Sequence, residues 1–345
     1  MGSHTIPNKM HWLQRQWLRL TPWHVVLLPL GILFAFVATS RRTFYRLGLL
    51  RAVRLPVPVI VVGNINAGGT GKTPLVLWLA GFLRQRGYHP GIISRGYGGR
   101  ADGPVPVGGG SDPAEVGDEP LLLAKKSACP VWVGRDRAAV ALALLQAHPE
   151  CDVVVSDDGL QHYRLGRDVE IVVVDGERRF GNALPLPAGP LRESVARLQS
   201  VDAVVVNGGS LRPGFSLRNE FEMHLQGGMF YNLRNPELHA VAADFLGKKL
   251  HAVAGIGNPQ RFFTHLRGLG LAFDEHAFPD HYAYRPQDLD YDDGGMLLMT
   301  EKDAVKCTGF ADGRYWFLAV EAVVAPAFGQ MIVQKLRNID GPQTA

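Results

Sequence analysis

The run Asn66-Ala67-Gly68-Gly69-Thr70-Gly71-Lys72-Thr73 brings side-chain-free amides, one ammonium and one hydroxyl into a single short loop. Glycines in such a loop let successive N–H groups close around phosphate oxygens. Lys72 can reach the outer phosphates of a nucleotide, and the Thr73 hydroxyl can ligate Mg²⁺. The β-like stretch Pro58-Val59-Ile60-Val61-Val62 precedes the loop, and the apolar run Leu75-Val76-Leu77-Trp78-Leu79-Ala80 follows it. Strand, glycine loop, Lys-Thr and helix is the layout of a nucleoside-triphosphate site. The strict pattern opens on Gly where this chain has Asn66, but the remainder and its flanks are in place. The competing reading is a glycine turn that binds no phosphate. Pro74 suits a first helical turn, where its missing N–H costs little.

Carboxylates supply the next candidates. Asp157 and Asp158 close the apolar stretch Cys151-Asp152-Val153-Val154-Val155-Ser156. An Asp there can hold Mg²⁺ opposite the threonine of a phosphate loop; the alternative is a turn-forming Asp-Gly pair. Asp118 and Glu119 lie in Gly117-Asp118-Glu119-Pro120, ahead of a helix. Acidic residues at a helix start are common because they offset the helix dipole. The functional alternative is a base for an attacking hydroxyl, which is a poor nucleophile without a proton acceptor. His281, in Phe278-Pro279-Asp280-His281-Tyr282, draws interest through position, since a cleft between lobes could carry it to the glycine loop. Arg95 and Arg100 surround Tyr97 at the end of a strand and suit an anionic, sugar-like substrate; a solvated turn is the bland alternative. The Pro/Gly-rich stretch from Leu186 to Glu193, which contains Arg192, reads as a structural loop.

These groups need a scaffold. Strands are expected at 57–62, 91–94, 131–133, 151–156, 170–174 and 203–206, with helices at 75–86, 119–127 and 138–146 between them. Short apolar strands alternating with helices predict an α/β fold: a parallel sheet with helices on both faces. The texture changes near Ser210, and 221–233 reads as a hairpin turning at Gly227-Gly228. A second β–α rhythm follows, with strands at 250–254 and 296–299 and a helix at 259–266. The expected organisation is an N-terminal apolar helix and basic stem over 1–54, a nucleotide-binding domain over 55–210, and a smaller α/β lobe over 211–345 entered through a hairpin hinge.

With 345 residues, 46% of them hydrophobic and 20% charged, the chain has a globular composition. A net charge of +4 without an aromatic-laced basic motif gives no reason to expect nucleic acid, and no obligate protein partner is evident. Cys129, Cys151 and Cys307 are scattered and read as reduced thiols. Between Arg19 and Arg41 His24 alone could carry charge, and arginines follow at 41, 42, 46, 51 and 54, with Arg15 and Arg19 before. Pro22 and Pro29 interrupt this apolar segment, which is marginal for a span of about 20 residues. An interfacial helix, a single span and a buried core helix all remain open, and the arginines suit anionic headgroups in the first two.

The motifs taken in order resemble the tetraacyldisaccharide 4′-kinase (lipid A 4′-kinase) family of Gram-negative bacteria. The resemblance rests on Val61-Val62-Gly63-Asn64 leading into GGTGKTP, then SRGYGG at 94–99, GDEP at 117–120 and SDDGLQHYRL at 156–165. DGERRFGN at 175–182, LPAGPLRE at 186–193, AGIGNPQRFF at 254–263, FPDH at 278–281 and MTEKDAVK at 299–306 complete it. It implies a P-loop kinase at the inner membrane, active on the cytosolic face, that moves a phosphoryl group from ATP to the 4′-hydroxyl of a tetraacylated disaccharide 1-phosphate. It implies that Lys72 and Thr73 hold phosphates and Mg²⁺, with Asp157 or Asp158 completing the metal site. Asp118 would be the base, assisted by His281; Glu119 and Glu193 would support the nucleotide and metal region. Arg95, Tyr97, Arg137 and Arg192 would meet the disaccharide and its phosphate. Lobe closure would deliver His281, so an open, ligand-free form is expected to keep it beyond hydrogen-bond reach of Asp118. The rival is a membrane-associated ATPase switch without a lipid acceptor. Such switches place an extra Lys before the glycine pair, where this chain has Ala67.

Overall fold

The structure is a computed structural model that describes residues 16–17, 20–209 and 219–339. Arg15, Arg19 and the first residues after the change of texture at Ser210 lie outside the described residues.

The helices in chain order are α1 (Pro22–Arg46), α2 (Lys72–Gln85), α3 (Pro113–Val116), α4 (Asp118–Ser127), α5 (Arg137–Ala147), α6 (Pro259–Gly268), α7 (Glu301–Cys307) and α8 (Pro326–Ile339). The large sheet holds nine strands. Its members are β1 (Val59–Gly63), β2 (Pro90–Ser94), β3 (Val105–Val107), β4 (Val131–Val133), β5 (Val153–Asp157), β6 (Val169–Asp175), β7 (Ala203–Asn207), β8 (Glu220–Gln226) and β15 (Glu321–Val324). Their spatial order is β15-β8-β7-β6-β1-β5-β2-β4-β3, antiparallel only where β15 and β3 join at the edges. β1 is buried along its whole length between parallel neighbours β5 and β6, which is why Val59-Ile60-Val61-Val62 shows no polar alternation.

The small sheet has six strands in the order β10-β9-β14-β13-β11-β12. They are β9 (Met229–Asn232), β10 (His239–Val241), β11 (Leu250–Ala254), β12 (Asp274–Ala277), β13 (Met296–Thr300) and β14 (Tyr315–Leu318). The hairpin expected over 221–233 does not form. β8 pairs with β7 and β15, whereas β9 pairs with β10 and β14, so Gly227-Gly228 carries the chain from one sheet to the other. The chain crosses back between β14 and β15, and α8 then packs on the large sheet, where Phe328 meets Trp78 and Phe221. Phe328, Ile332 and Leu336 of α8 therefore complete the core on which α2 packs.

α1 is one 25-residue helix despite Pro29, long and apolar enough to cross a membrane, and only 11% of its most apolar window is buried. The buried-core reading is thus corrected, because Val25, Val26, Ile32, Leu33, Phe36 and Val37 face outward. The helix touches the body on one side. A β-carbon at Gly31 would stand 3.4 Å from Ala188 Cβ, the Arg42 guanidinium donates to Ser200 Oγ at 2.7 Å, and Tyr45 lies 6.1 Å from the Tyr163 ring.

Candidate active site at the junction of two lobes

The glycine loop leaves the carboxyl end of central strand β1 and runs into α2, so its amides sit at a helix N-terminus. Gly71 takes φ 95°, and a β-carbon there would meet Asn207 Nδ2 at 2.3 Å. Only glycine fits that position. Asn207 Nδ2 donates to the Thr70 carbonyl at 3.0 Å, and Asn64 Nδ2 donates to the Gly68 carbonyl at 3.1 Å. Asn66 is not among the described residues with positive φ, so its position does not require glycine. Its side-chain amide instead donates to the Arg179 carbonyl and ties the loop to the segment after β6. The Ala67 N–H donates to the Pro190 carbonyl at 2.7 Å, which makes the Pro/Gly-rich stretch the outer wall of the loop.

Lys72 Nζ and Arg192 Nη1 each lie 3.4 Å from an oxygen of Asp158. Burial works against ionising Asp158, yet Lys72, Arg192 and Arg137 hold its carboxyl down at about 2. Asp157 is 1% exposed, and neither of its oxygens has a hydrogen-bond partner. Burial, then the charge of Glu119, push its carboxyl up to about 7. Orphaned carboxylate oxygens beside a Lys-Thr loop are a donor set that fits a hard divalent cation such as Mg²⁺.

Asp118 opens α4, next to Gly117 at φ 90°, where a β-carbon would stand 2.8 Å from the Tyr97 carbonyl oxygen. The close backbone approach seats the 95–100 loop against the head of α4. Asp118 is buried and accepts the Glu119 N–H at 2.9 Å. His281 Nδ1 lies 2.9 and 3.1 Å from its two oxygens. Burial opposes the charge on Asp118, but the His281 hydrogen bond, Lys302 and Lys306 hold its carboxyl below the usual range. Burial likewise opposes protonation of His281, and the bond to Asp118 still raises it. His281 adopts φ 59°, uncommon for a side-chain-bearing residue, with its N–H on the Gly255 carbonyl at 3.2 Å.

The structure therefore shows His281 within hydrogen-bond reach of Asp118 and not the separation expected of an open form. The reason is a packed junction in place of a bare hinge. α7 lies against α4, and Lys302 Nζ sits 2.9 Å from Glu119 and 3.1 Å from Asp280. Lys302 also stands 4.0 Å from Asp118, and Lys126 pairs with Glu301 across the same seam. A β-carbon on Gly257 would come within 2.4 Å of the Gly69 nitrogen, so the small lobe also touches the glycine loop. Sequence reasoning missed Lys302 and Asn207. The only signal for Lys302 was its place in MTEKDAVK, next to no visible partner.

The other candidates divide. Tyr97 is 61% exposed, with its ring 4.8 Å from that of His281, and Arg95 is exposed beside it. Arg137 is only 2% exposed; its guanidinium donates to the carbonyls of Gly134 and Asp158 and so braces the loop from inside. Glu193 accepts from Gln161 and Tyr163, both at 2.7 Å, and pairs with Arg197. It is joined to the start of the glycine loop indirectly, because Gln161 Nε2 also donates to the Asn64 carbonyl. A cavity of about 410 Å³ separates the lobes, with residues 69–74 on one wall and Ile256, Phe262, Leu318 and Val320 on the other.

The family model described as tetraacyldisaccharide-1-P 4′-kinase matches residues 23–337. A protein named tetraacyldisaccharide 4′-kinase from Methylobacillus flagellatus is 49% identical over 328 residues, covering 95% of this chain and 96% of its own. One of the same name from Dechloromonas aromatica is 52% identical over 333 residues, covering 95% and 98%. The chain belongs to the tetraacyldisaccharide 4′-kinase family. A crystal structure of LpxK from Aquifex aeolicus in complex with ATP matches with a TM-score of 0.78 at 29% identity, covering 91% of this chain and 100% of that one. Kinase activity in lipid A synthesis thus follows from the family, and the P-loop α/β fold from the architecture. The ATPase-switch reading is set aside by the same match.

Proposed function

We propose that this kinase moves the γ-phosphoryl group of ATP to the 4′-hydroxyl of tetraacyldisaccharide 1-phosphate, with Asp118 as the base. The observation that carries this reading is the buried, ionised Asp118 held at 2.9 Å by His281 across the lobe junction. The Aquifex relative was crystallised with ATP, which supports ATP as donor. Loop amides and Lys72 would cradle the β- and γ-phosphates. Thr73, Asp157 and Asp158 would hold Mg²⁺, which when bound offsets phosphate charge. The 4′-oxygen bonds to the γ-phosphorus as the bond to the bridging oxygen breaks. ADP leaves, and the hydroxyl proton passes to Asp118. His281 fixes the carboxylate and shares its charge, Glu119 anchors Lys302 beside it, and Tyr97, Arg95 and Arg192 stand where the sugar and its phosphate would enter. Arg137 and Glu193 support the site from behind.

The substrate's acyl chains stay in a bilayer, so the enzyme must work at its surface. α1 contacts the body from Gly31 to Tyr45, and a perpendicular span would draw the body into lipid. The geometry therefore favours α1 lying in the interface, on the cytosolic face of the inner membrane where ATP is present. Labelled ATP with the purified lipid disaccharide in detergent tests the proposal. Label should appear on the lipid; label released only as free phosphate sinks it.

A further inference from the structure

We infer that the cavity beneath the carboxyl end of α1 binds the phosphate headgroup of an anionic phospholipid, an inference that rests on the membrane reading of α1. The cavity measures about 690 Å³ and lies at the amino ends of β1 and β6. The glycine loop leaves the opposite end of β1, so the two sites are separate. Its lining includes five arginines, at 42, 46, 54, 167 and 197, against three carboxylates.

The carboxylates are already engaged. Asp168 accepts the Val59 N–H at 2.9 Å. Glu170 accepts Arg167 at 3.2 Å and Arg197 at 2.5 Å. Asp202 takes Lys335 at 2.6 Å and the Glu170 N–H at 2.8 Å. Among the described residues Arg42 has only the Ser200 hydroxyl as a hydrogen-bond partner, and no carboxylate pairs with Arg42, Arg46 or Arg54. Partial burial, then the nearby Arg197 charge, lower the Arg42 pKa, a repulsion that an anion would relieve. Planar guanidiniums converging on a polar cavity match the geometry of a phosphate group.

The rim identifies the source of that phosphate. Phe44, Leu47, Leu49 and Leu50 are exposed and lie close in sequence to the lining residues Tyr45, Arg46 and Ala52, just where the apolar helix α1 ends. A soluble anion would leave them in water, whereas a phospholipid would cover them with its chains while its headgroup enters the cavity. No catalytic role is implied.

The full chain in flotation assays tests this, using vesicles of phosphatidylcholine alone and with phosphatidylglycerol added. Wild type should prefer the anionic vesicles. Arg46→Gln/Arg54→Gln should lose about fivefold of that preference per arginine removed, while keeping its binding to neutral vesicles. Arg41→Gln/Arg51→Gln removes equal charge outside the cavity and should lose less. Equal losses in the two pairs would mean diffuse polybasic attraction and overturn the site, as would no preference in wild type. Soluble glycerol phosphate should not raise Tm; protection by it, abolished in Arg46→Gln/Arg54→Gln, would assign the cavity to a free anion instead. Failure to bind either vesicle would strike the membrane reading itself, a result distinct from equal binding to both.

Discussion

His281 Nδ1 stands 2.9 Å from Asp118 Oδ1, so a loop of the small lobe completes the carboxylate that opens α4 on the large one. Neither residue is held for this by its own lobe alone. Lys302 lies 3.4 Å from the other nitrogen of the same imidazole and joins Glu119 to Asp280. The proposed base and the junction between lobes are one cluster of charges.

If Asp118 is the base and His281 its hydrogen-bonded partner, as proposed, their losses should not add. Asp118→Ala and His281→Ala are each expected to lower kcat by about 10²–10⁴-fold, with little change in KM for ATP. The double variant should be no slower than the worse single one. Phosphoryl transfer to the lipid measures this, and multiplicative losses would mean that the two serve separate steps.

The same pair sets a pH dependence of stability. His281 is raised above its ordinary 6.5, so its share of stability is full below that value and disappears as pH rises through the raised one. Asp118 is lowered from 3.8, so its share is present above that value and lost as pH falls through the lowered one. The contact is strongest between those limits. The Tm gap between wild type and His281→Gln should be widest near pH 5–6 and should narrow toward pH 9. A gap that is flat across this range would disprove the linkage.

Local backbone demands are what made the glycine loop legible. Gly71 needs a positive φ and no side chain, and that requirement is written in one residue. The Asp118–His281 pair was legible only through family motifs, since nothing near either residue names the other. Lys302 and Glu119 are 183 positions apart, and Asn207 and Thr70 are 137 apart, so their contacts exist only after folding. The 221–233 region shows a different limit. Alternation predicts that a segment is a strand, and it does, but partners are chosen by sheet edges, so β8 and β9 part company.

Lys302 Nζ lies among Glu119, Asp280 and Asp118, with 15% of its side chain exposed. Those carboxylates together raise its pKa against burial. Lys302→Met would leave them facing one another, at a cost on the order of 3 kcal/mol. Chemical denaturation should show that loss, and KM for ATP should rise as the lobes separate. Unchanged stability would mean that water or His281 satisfies the cluster alone.

Asn66→Gly restores the strict phosphate-loop pattern and should still harm the enzyme. The position does not use positive φ, and glycine would forfeit the bond to the Arg179 carbonyl. The expected cost is about 1 kcal/mol of stability, with a higher KM for ATP. A more active or more stable Asn66→Gly would show that the asparagine is a mere tolerated departure.

Gly31 sets how α1 lies on the body. A β-carbon there would already be 3.1 Å from the Pro185 carbonyl oxygen and 3.4 Å from Ala188 Cβ, so a leucine has no room. Gly31→Leu should lift α1 from the 184–193 stretch, whose Pro190 carbonyl accepts the Ala67 N–H of the glycine loop. Membrane binding should persist, because the apolar face of α1 points away from Gly31, while turnover on the lipid should fall severalfold as the loop loses its backing. Deleting residues 1–40 should instead weaken vesicle binding outright. If Gly31→Leu abolished vesicle binding and left turnover in detergent untouched, α1 would be an anchor with no mechanical link to the nucleotide loop.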